Sequence, residues 1–374
     1  MMNECLGTDQ TSWEIGPYHS ALPGNMRLRL SLDGEVITGA SLETGFQHRG
    51  LEKALESHFW QAAVPYCDHL DPEGALHGEL ALCLAAEQIG EIPVPARAER
   101  IRVIVAELTR ISCHFVYIAR MARATGSDTM LHYVLRDREK VLDLFELLTG
   151  ARFSLNFLRF GGVAADVTEG FIERVLETCE LIRIRLKEYN DLFSFNHAFL
   201  RRSTGIGLIT REQARRYGIT GPNLRATGVR FDARKSHPYS DYKKIDFEVP
   251  IGGSEEGVGD SHDRFLLRLR EITQSLELLK QASETIPSGN FENAKITREF
   301  SLPKGEAYSR IESSRGLLSC HLVSDGGLKP SRVSFRTPSV AHVQIIPEVL
   351  RGTRLEDLPV ILASLDINIA EVDR

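Results

Sequence analysis

One long apolar repeat constrains the fold of this chain more than any other feature of its sequence. Between residues 97 and 124, apolar side chains recur at spacings of three and four residues, at Ile101, Ile104, Leu108, Ile111 and Phe115. This spacing places them on one face of an α-helix, and such a face is buried against other elements. Further helices are predicted over 51–63, 77–90, 131–149, 169–192 and 263–282, with Asp263 as the N-cap of the last. The chain is therefore predicted to be mainly a bundle of long helices.

Two shorter segments alternate in the manner of β-strands. Residues 26–39 alternate around Asp33-Gly34, and residues 319–339 alternate around a turn at Asp325-Gly326-Gly327. The fold class predicted is α+β, with a helical bundle and small antiparallel β-hairpins near the N- and C-termini. One integrated domain is expected, with a β-rich region at 1–50, a helical bundle at 51–300 with an irregular insertion at 218–260, and a β/helix region at 301–374.

Composition and charge exclude several classes of protein. The 374 residues are 42% hydrophobic, enough for a substantial core, while a net charge of −6 without any Lys or Arg block argues against nucleic acid as a partner. No run approaches the roughly 18 consecutive apolar residues of a membrane-spanning helix. The first residues, MMNECLGTDQ, lack the layout of a signal peptide. We therefore expect a cytoplasmic chain, or one docked on that side of a membrane.

The sequence shows no motif for a metal or a nucleotide. Its six cysteines have no CxxC spacing, so buried reduced thiols are expected and not a zinc or iron–sulfur site. No GxGxxG fingerprint for a dinucleotide is present. The glycines around Glu255-Glu256 lack the lysine of a phosphate loop, and a surface loop is expected there.

Several separated strings resemble one protein family. The strings are GPYHSALPG at 16–24, GFQHRGLEK at 45–53, PYCDHLD at 65–71, VPARAERIRVIVAELTRI at 94–111, DREK at 137–140, GPNLRATGV at 221–229, DFEVPIGG at 246–253, LVSDGG at 322–327 and SLDINIAEVDR at 364–374. In order and spacing they resemble, over nearly the whole chain, the quinone-site subunit of respiratory complex I, called the D subunit or the 49 kDa subunit. That family shares ancestry with the large subunits of nickel–iron hydrogenases, so a hydrogenase large-subunit-like fold is expected.

The resemblance does not extend to a nickel site. Hydrogenase large subunits hold the metal with two CxxC pairs, and this chain has neither pair. At the C-terminal place of such a pair stand residues 366–371, which cannot supply thiolate ligands. No metal is therefore expected in this chain.

The resemblance implies a role within a larger complex. Subunits of this family pack against a small partner that carries the terminal iron–sulfur cluster, and the two enclose a quinone headgroup pocket that is coupled to a proton-pumping membrane arm. The chain alone is expected to bind no cofactor, because NAD, FMN and the iron–sulfur clusters belong to partner subunits. A peripheral position on the cytoplasmic face of the cell inner membrane follows, with no catalytic residue supplied by this chain alone.

The family's quinone-site positions are altered in this sequence. The resemblance keeps the first histidine of the first motif as His19, on the wall of the quinone cavity. Four other functional positions carry different side chains: the quinone histidine, the quinone tyrosine, the acid that orients the histidine and a redox-sensing histidine fall on Pro23, Pro72, Ala124 and Ser154. Proline and alanine side chains donate neither a proton nor a hydrogen bond. Asp128, one helical turn beyond Ala124, is not expected to replace the lost carboxylate.

Arg49 and the adjacent His48 are the retained candidates for function. In the family this arginine lies next to the partner's terminal cluster, where a fixed cation would raise the cluster's potential. A purely structural ion pair at the subunit interface is the alternative. The charges of 371–374 are expected to pair with one another and with Arg49 or His48. The histidines His69, His77 and His114 are expected to be structural.

Three hypotheses for the function follow. The chain is the D subunit of a complex I-like NADH:quinone oxidoreductase, or a divergent paralogue that serves as a structural subunit, or a subunit that passes electrons to another acceptor. A surface that meets several partners predicts exposed apolar patches and poor solubility of the isolated chain.

Overall fold

The long helices expected from the sequence form the centre of the computed structural model, which describes residues 10–252, 259–294, 296 and 300–374. The five long helices are α3 (Ala75–Gly90), α4 (Ala96–Ala124), α5 (Asp128–Thr149), α6 (Phe171–Tyr189) and α11 (Ser261–Glu284). Helix α4 packs against both α5 and α11, and α6 packs against the same two helices. The apolar stripe predicted for α4 is buried along its whole length, so this prediction is confirmed.

The predicted cap of α11 is wrong by three residues. Asp260 is the N-cap, and its carboxylate accepts a hydrogen bond from the Asp263 backbone N–H at 2.8 Å. The Asp263 carboxylate accepts instead from the Gly259 backbone N–H at 2.9 Å. Each carboxylate thus satisfies a backbone N–H donor near the start of the helix.

Short helices connect the long ones. In chain order they are α1 (Leu51–Ser57), α2 (Trp60–Ala63), α7 (His197–Ser203), α8 (Arg211–Tyr217), α9 (Gly221–Arg225), α10 (Ala233–Ser236), α12 (Pro338–Gln344), α13 (Ile346–Leu350), α14 (Leu358–Leu365) and α15 (Ile369–Val372). A 3-10 helix, Val64–His69, follows α2 directly, and a π-helical turn, Asn190–Ser194, follows α6. Two more 3-10 turns span Ser240–Lys244 and Leu355–Asp357.

Two three-stranded antiparallel sheets come before and after the long helices in the chain. The first has the order β1 (Gln10–Ile15), β2 (Arg27–Asp33), β3 (Val36–Glu43), and the second has the order β6 (Gly305–Glu312), β7 (Leu317–Ser324), β8 (Arg332–Arg336). A two-stranded ladder joins β4 (Leu158–Arg159) to β5 (Gly162–Val163). Both predicted hairpins, β2–β3 and β7–β8, are confirmed, and Gly34 adopts a φ of 58° in the first turn. The sequence patterns do not predict β1 and β6, the third strand of each sheet.

Two hydrophobic cores hold these elements together. The larger core joins the long helices to the second sheet, with α3 lying across β6 and β7. The smaller core joins β2 to the C-terminal helices, where Leu28 and Leu30 share a cluster with Leu362 and Leu365 of α14. Helix α14 also packs against α4 and α11, so the two cores meet at the end of α4. The arrangement agrees with the predicted α+β class. The bounds predicted for the three regions of the domain, 1–50, 51–300 and 301–374, stay predictions.

Some features predicted from the sequence lie outside the described residues. The Glu255-Glu256 loop and Cys5 are in this group. No helix in the described part of the chain combines the length and apolar character needed to cross a bilayer.

Candidate functional site

A cavity of about 620 Å³ opens where the loop before β2 meets the end of α4 and the helix α14. Its walls are Ser20, Ala21, Leu22, Pro23, Gly24, Arg120, Arg123, Ala124, Pro359, Leu362, Ala363, Asp366 and Ile367. Pro23 and Ala124, two of the four altered positions, thus lie in the same cavity. Neither side chain can donate a hydrogen bond or a proton there. We call this space the main cavity.

The other two altered positions share a second, much smaller cavity. Pro72 and Ser154 line a space of about 20 Å³, together with Glu73, Arg138 and Arg152 among others. Glu73 forms an ion pair with Arg120, which lines the main cavity. One ion pair therefore links the two cavities.

Arg120 and Asp366, which line the main cavity, belong to a cluster of paired charges. Arg120 contacts both Glu73 and Asp366, with its Nη1 at 3.3 Å from Asp366 Oδ1. Arg315, fully buried, pairs with Asp71, Glu73 and Asp366. Such mutual pairing is required because an isolated charge in a protein interior is very unfavourable.

Asp366 is held as a carboxylate by three guanidinium groups. Burial alone would raise its pKa, but Arg315, then Arg268 and Arg120, outweigh burial and lower the pKa of Asp366 below its ordinary value. Arg268 approaches Asp366 Oδ2 at 3.7 Å and stacks on the Tyr117 ring at 3.9 Å. This carboxylate is therefore an anion at neutral pH and not a proton donor.

Glu371 lies close to Asp71 and Arg315 of the same cluster, but its pKa is shifted in the opposite direction to that of Asp366. Burial, followed by the nearby Asp71, raises the pKa of Glu371 to about 8. Its carboxyl accepts hydrogen bonds from the backbone N–H and the hydroxyl of Ser339. Asp71 also has a raised pKa, chiefly because it is buried, and accepts a hydrogen bond from Asn368 at 2.6 Å.

Arg123 differs from the other arginines of this region. It lies three residues after Arg120 in the last turn of α4, and its side chain is exposed at the cavity wall. Its guanidinium has neither a hydrogen bond nor an ion pair with any residue that the structure describes. Glu73, Arg120 and Arg123 were not among the residues predicted from the sequence. The spacing of Arg120 and Arg123 was the available signal, because residues three apart share a helix face.

Arg49 is exposed and bonded only to backbone oxygens in the described residues. Its Nη2 donates to the His69 carbonyl at 2.7 Å, and its Nη1 lies 3.5 Å from the Gln47 carbonyl. Hence the ion-pair alternative has no acidic partner within the described part of this chain. The bond to His69 joins the loop before α1 to the end of the 3-10 helix Val64–His69 and fixes the direction of the guanidinium.

The expected pairing of the C-terminal charges is wrong in its partners. The Asp373 carboxylate accepts from the backbone N–H groups of Gly45 and Gln47 at 2.8 and 2.9 Å, and not from Arg49. The His48 ring contacts the Asp373 backbone carbonyl, with its Nδ1 at 3.0 Å from that oxygen, and not the Asp373 carboxylate. Arg374 pairs with Glu52 at 2.9 Å. Backbone N–H groups therefore satisfy the Asp373 carboxylate, and Arg49 forms no ion pair with it.

His19 and Asp128 lie close to the main cavity without lining it. His19 is exposed, and its Nδ1 accepts a hydrogen bond from the Ala21 backbone at 3.2 Å. Helix α4 ends at Ala124, and the exposed Asp128 begins α5 after a turn. The assumption that Ala124 and Asp128 share one helix is therefore wrong.

The three histidines that were expected to be structural, His69, His77 and His114, occupy different environments. His114 is buried and its Nε2 lies 3.2 Å from Glu271, as a structural role requires. His77 is fully buried, and burial lowers its pKa to about 3, so it is neutral. His69 is exposed.

The five described cysteines are buried and free, and no group of three or more His, Cys, Asp or Glu side chains among the described residues is arranged to hold a metal.

Comparison with known proteins defines the class of this chain. Its residues 124–297 and 291–374 match the family model of the respiratory-chain NADH dehydrogenase 49 kDa subunit. The chain belongs to this family.

Similar proteins within this family carry the name of one particular subunit. Over 368 residues, 98% of this chain, it is 42% identical to the D subunit of the NADH-quinone oxidoreductase of Desulforamulus reducens, of which 99% is covered. It is also 42% identical to the D subunit of Carboxydothermus hydrogenoformans and 39% identical to that of Bacillus mycoides, each covered completely.

Proposed function

We propose that this chain is the D subunit of a proton-translocating NADH:quinone oxidoreductase and that its main cavity forms one wall of the quinone site. The observation that carries the proposal is the position of this cavity. Pro23 and Ala124, which the family resemblance assigns to the quinone histidine and its orienting acid, line it together. Similarity along 98% of the chain to proteins named as this subunit supports the same assignment.

The second part of the proposal concerns electron arrival. Arg49 faces the terminal iron–sulfur cluster of a small partner subunit, with His48 beside it. Its exposure and its lack of an acidic partner in the described residues leave its charge available to stabilise the added electron. NAD, FMN and the clusters belong to partner subunits, and quinone binds at the interface.

Exposed aromatic side chains support a chain that works inside an assembly. Tyr18, Phe153 and Phe195 are 79%, 61% and 60% exposed, which is unusual for large apolar side chains. The partners proposed are the other complex I subunits, including the membrane arm. The complex would place this chain peripherally, on the cytoplasmic face of the inner membrane.

A second candidate function is favoured by the loss of proton donors. Among the described residues, none of the side chains that line the main cavity is a histidine, tyrosine or cysteine. General acid catalysis contributes roughly 100-fold or more to such proton transfers. The chain would then be a structural subunit, or one that delivers electrons to a different acceptor.

One experiment separates the two candidates. Membranes in which this chain is the sole subunit of its type are compared with membranes that carry Pro23→His and Pro72→Tyr together, and both quinone reduction and reduction of the terminal cluster are measured. Quinone turnover by the unaltered chain supports the quinone-site proposal. An assembled complex that reduces its cluster but not quinone supports the second candidate.

A further inference from the structure

The charges around the main cavity do not balance. Four guanidinium groups, those of Arg120, Arg123, Arg268 and Arg315, surround three carboxylates, Asp71, Glu73 and Asp366. Glu371 is close by, but its pKa of about 8 leaves it largely neutral at pH 7. His114 and His342 both have lowered pKa values through burial and contribute no charge.

The excess charge is located on the open side of the cavity. Asp366 is completely buried and already shared by Arg120, Arg268 and Arg315. Arg123 is exposed at the wall and has no partner in the described residues. Because residues three apart on a helix are neighbours, Arg120 and Arg123 present their guanidinium groups to the same space.

Much of the rest of the wall is apolar, although Ser20 and Asp366 also line it. Leu22, Pro23, Pro359, Leu362 and Ile367 line a cavity of about 620 Å³, which is within the usual range for a bound small molecule. A small inorganic anion would leave these side chains without contacts. A planar ring with an ionised oxygen would use both the apolar walls and the guanidinium groups.

We propose that the main cavity selects acidic hydroxyquinones in their anionic form, held through adjacent ionised and carbonyl oxygens by Arg123 and Arg120. This inference rests on the proposed quinone site and names its ligand class. The two neighbouring oxygens match the forked donors of a guanidinium as a carboxylate does. A guanidinium donates hydrogen bonds but keeps its proton, so a neutral quinone gains less than an ionised one.

Two probes of nearly equal shape test the proposal: a 2-hydroxy-3-alkyl-1,4-naphthoquinone, and its 2-methoxy analogue, which cannot ionise. Binding to the purified complex is measured through the visible absorption of the ionised hydroxyquinone, and through competition by the analogue. The hydroxyquinone is expected to bind at least tenfold more tightly at pH 7.5. This advantage is expected to disappear at a pH below the pKa of its hydroxyl group.

Variants of the chain give the second arm of the test. Arg123→Gln is expected to remove the tenfold preference, which corresponds to about 1.4 kcal/mol, and Arg123→Lys to retain part of it. Arg174→Gln, which changes an exposed arginine of α6 outside the cavity, is the matched control and is expected to leave the preference intact. Equal binding of the two probes, or equal weakening of both by Arg123→Gln, would overturn the proposal.

The result also distinguishes this inference from the function on which it rests. If neutral quinones are reduced and no preference for the anion exists, the quinone site stands and the anion selectivity is wrong. If the anion binds in an Arg123-dependent manner but no quinone is reduced while the cluster is, the anion site stands and the quinone-reductase assignment is wrong.

Discussion

Glu73 and Arg120 form an ion pair that connects the two cavities of this chain. Glu73 lines the small cavity with Pro72, and Arg120 lines the main cavity with Pro23. The altered positions are therefore not scattered over the molecule. They lie in two cavities that the Glu73–Arg120 ion pair connects, so a substitution in one cavity is expected to influence the other.

Restoring a histidine and its acid in the main cavity is expected to speed quinone reduction. Pro23→His combined with Ala124→Asp places a proton donor and an orienting carboxylate in one cavity, and an increase of about 100-fold is expected in membranes containing this chain. Each single change is expected to give much less, because the two side chains act as a unit. Equal effects of Ala124→Asp alone and of the pair would contradict this reasoning.

Arg49 is expected to set the potential of the partner's terminal cluster. Arg49→Gln removes a cation and should lower the potential measured by redox titration of the cluster signal in the assembled complex. Arg49→Lys keeps the charge, although it loses the geometry of the bond to the His69 carbonyl, and should restore most of the potential. An unchanged potential in Arg49→Gln, with the complex intact, would show that this arginine does not act on the cluster.

Glu107 is expected to be essential for stability. It is fully buried in α4 and accepts from Arg110, Arg234, Tyr242 and Ser275. Glu107→Gln leaves buried guanidinium groups without their counter-charge and is expected to cost about 3–5 kcal/mol in the free energy of unfolding. Glu188→Gln, which removes a partly exposed ion pair with Arg185, is the control and is expected to cost less than about 1 kcal/mol. Chemical denaturation followed by circular dichroism measures both.

The same carboxylate predicts an acid limit of stability. Burial would raise its pKa, but Arg110 and Arg234 prevail and lower the pKa of Glu107 to about 2. Because the folded pKa lies below the unfolded value, its contribution is present above about pH 4.5 and is lost as the pH falls towards 2. A melting temperature in Glu107→Gln that falls over this range as steeply as in the unaltered chain would refute the assignment.

Glu371 predicts the opposite dependence at higher pH. Its folded pKa of about 8 exceeds the unfolded value, so the folded chain binds an extra proton between about pH 4.5 and 8. Its contribution to stability is thus present at low pH and decreases as the pH rises through this window, by up to about 1.4 kcal/mol per pH unit. Glu371→Gln is expected to flatten the change in melting temperature between pH 5.5 and 8. A slope identical to that of the unaltered chain would contradict the raised pKa.

Local patterns predicted much of the fold. The spacing of Ile104, Leu108 and Ile111 predicted the central helix, and Asp33-Gly34 predicted the first hairpin, because both patterns reflect contacts between residues close in sequence. The N-cap at Asp260 was missed because two nearby aspartates both suit such a position. Strands β1 and β6 were not predicted, although each pairs with the next strand along the chain, β2 and β7 respectively.

The sequence by itself determined the helical and strand periods, the absence of CxxC and GxGxxG motifs, the family resemblance and the identities at the four altered positions. Only the tertiary structure decided that Pro23 shares a cavity with Ala124, that Glu73 meets Arg120, and that Asp373 bonds to backbone donors and not to Arg49. The physical reason is the separation along the chain between the residues that interact. Helix and turn formation depend on neighbours a few residues away, whereas buried charges take whichever partners the packing of distant elements brings within about 4 Å.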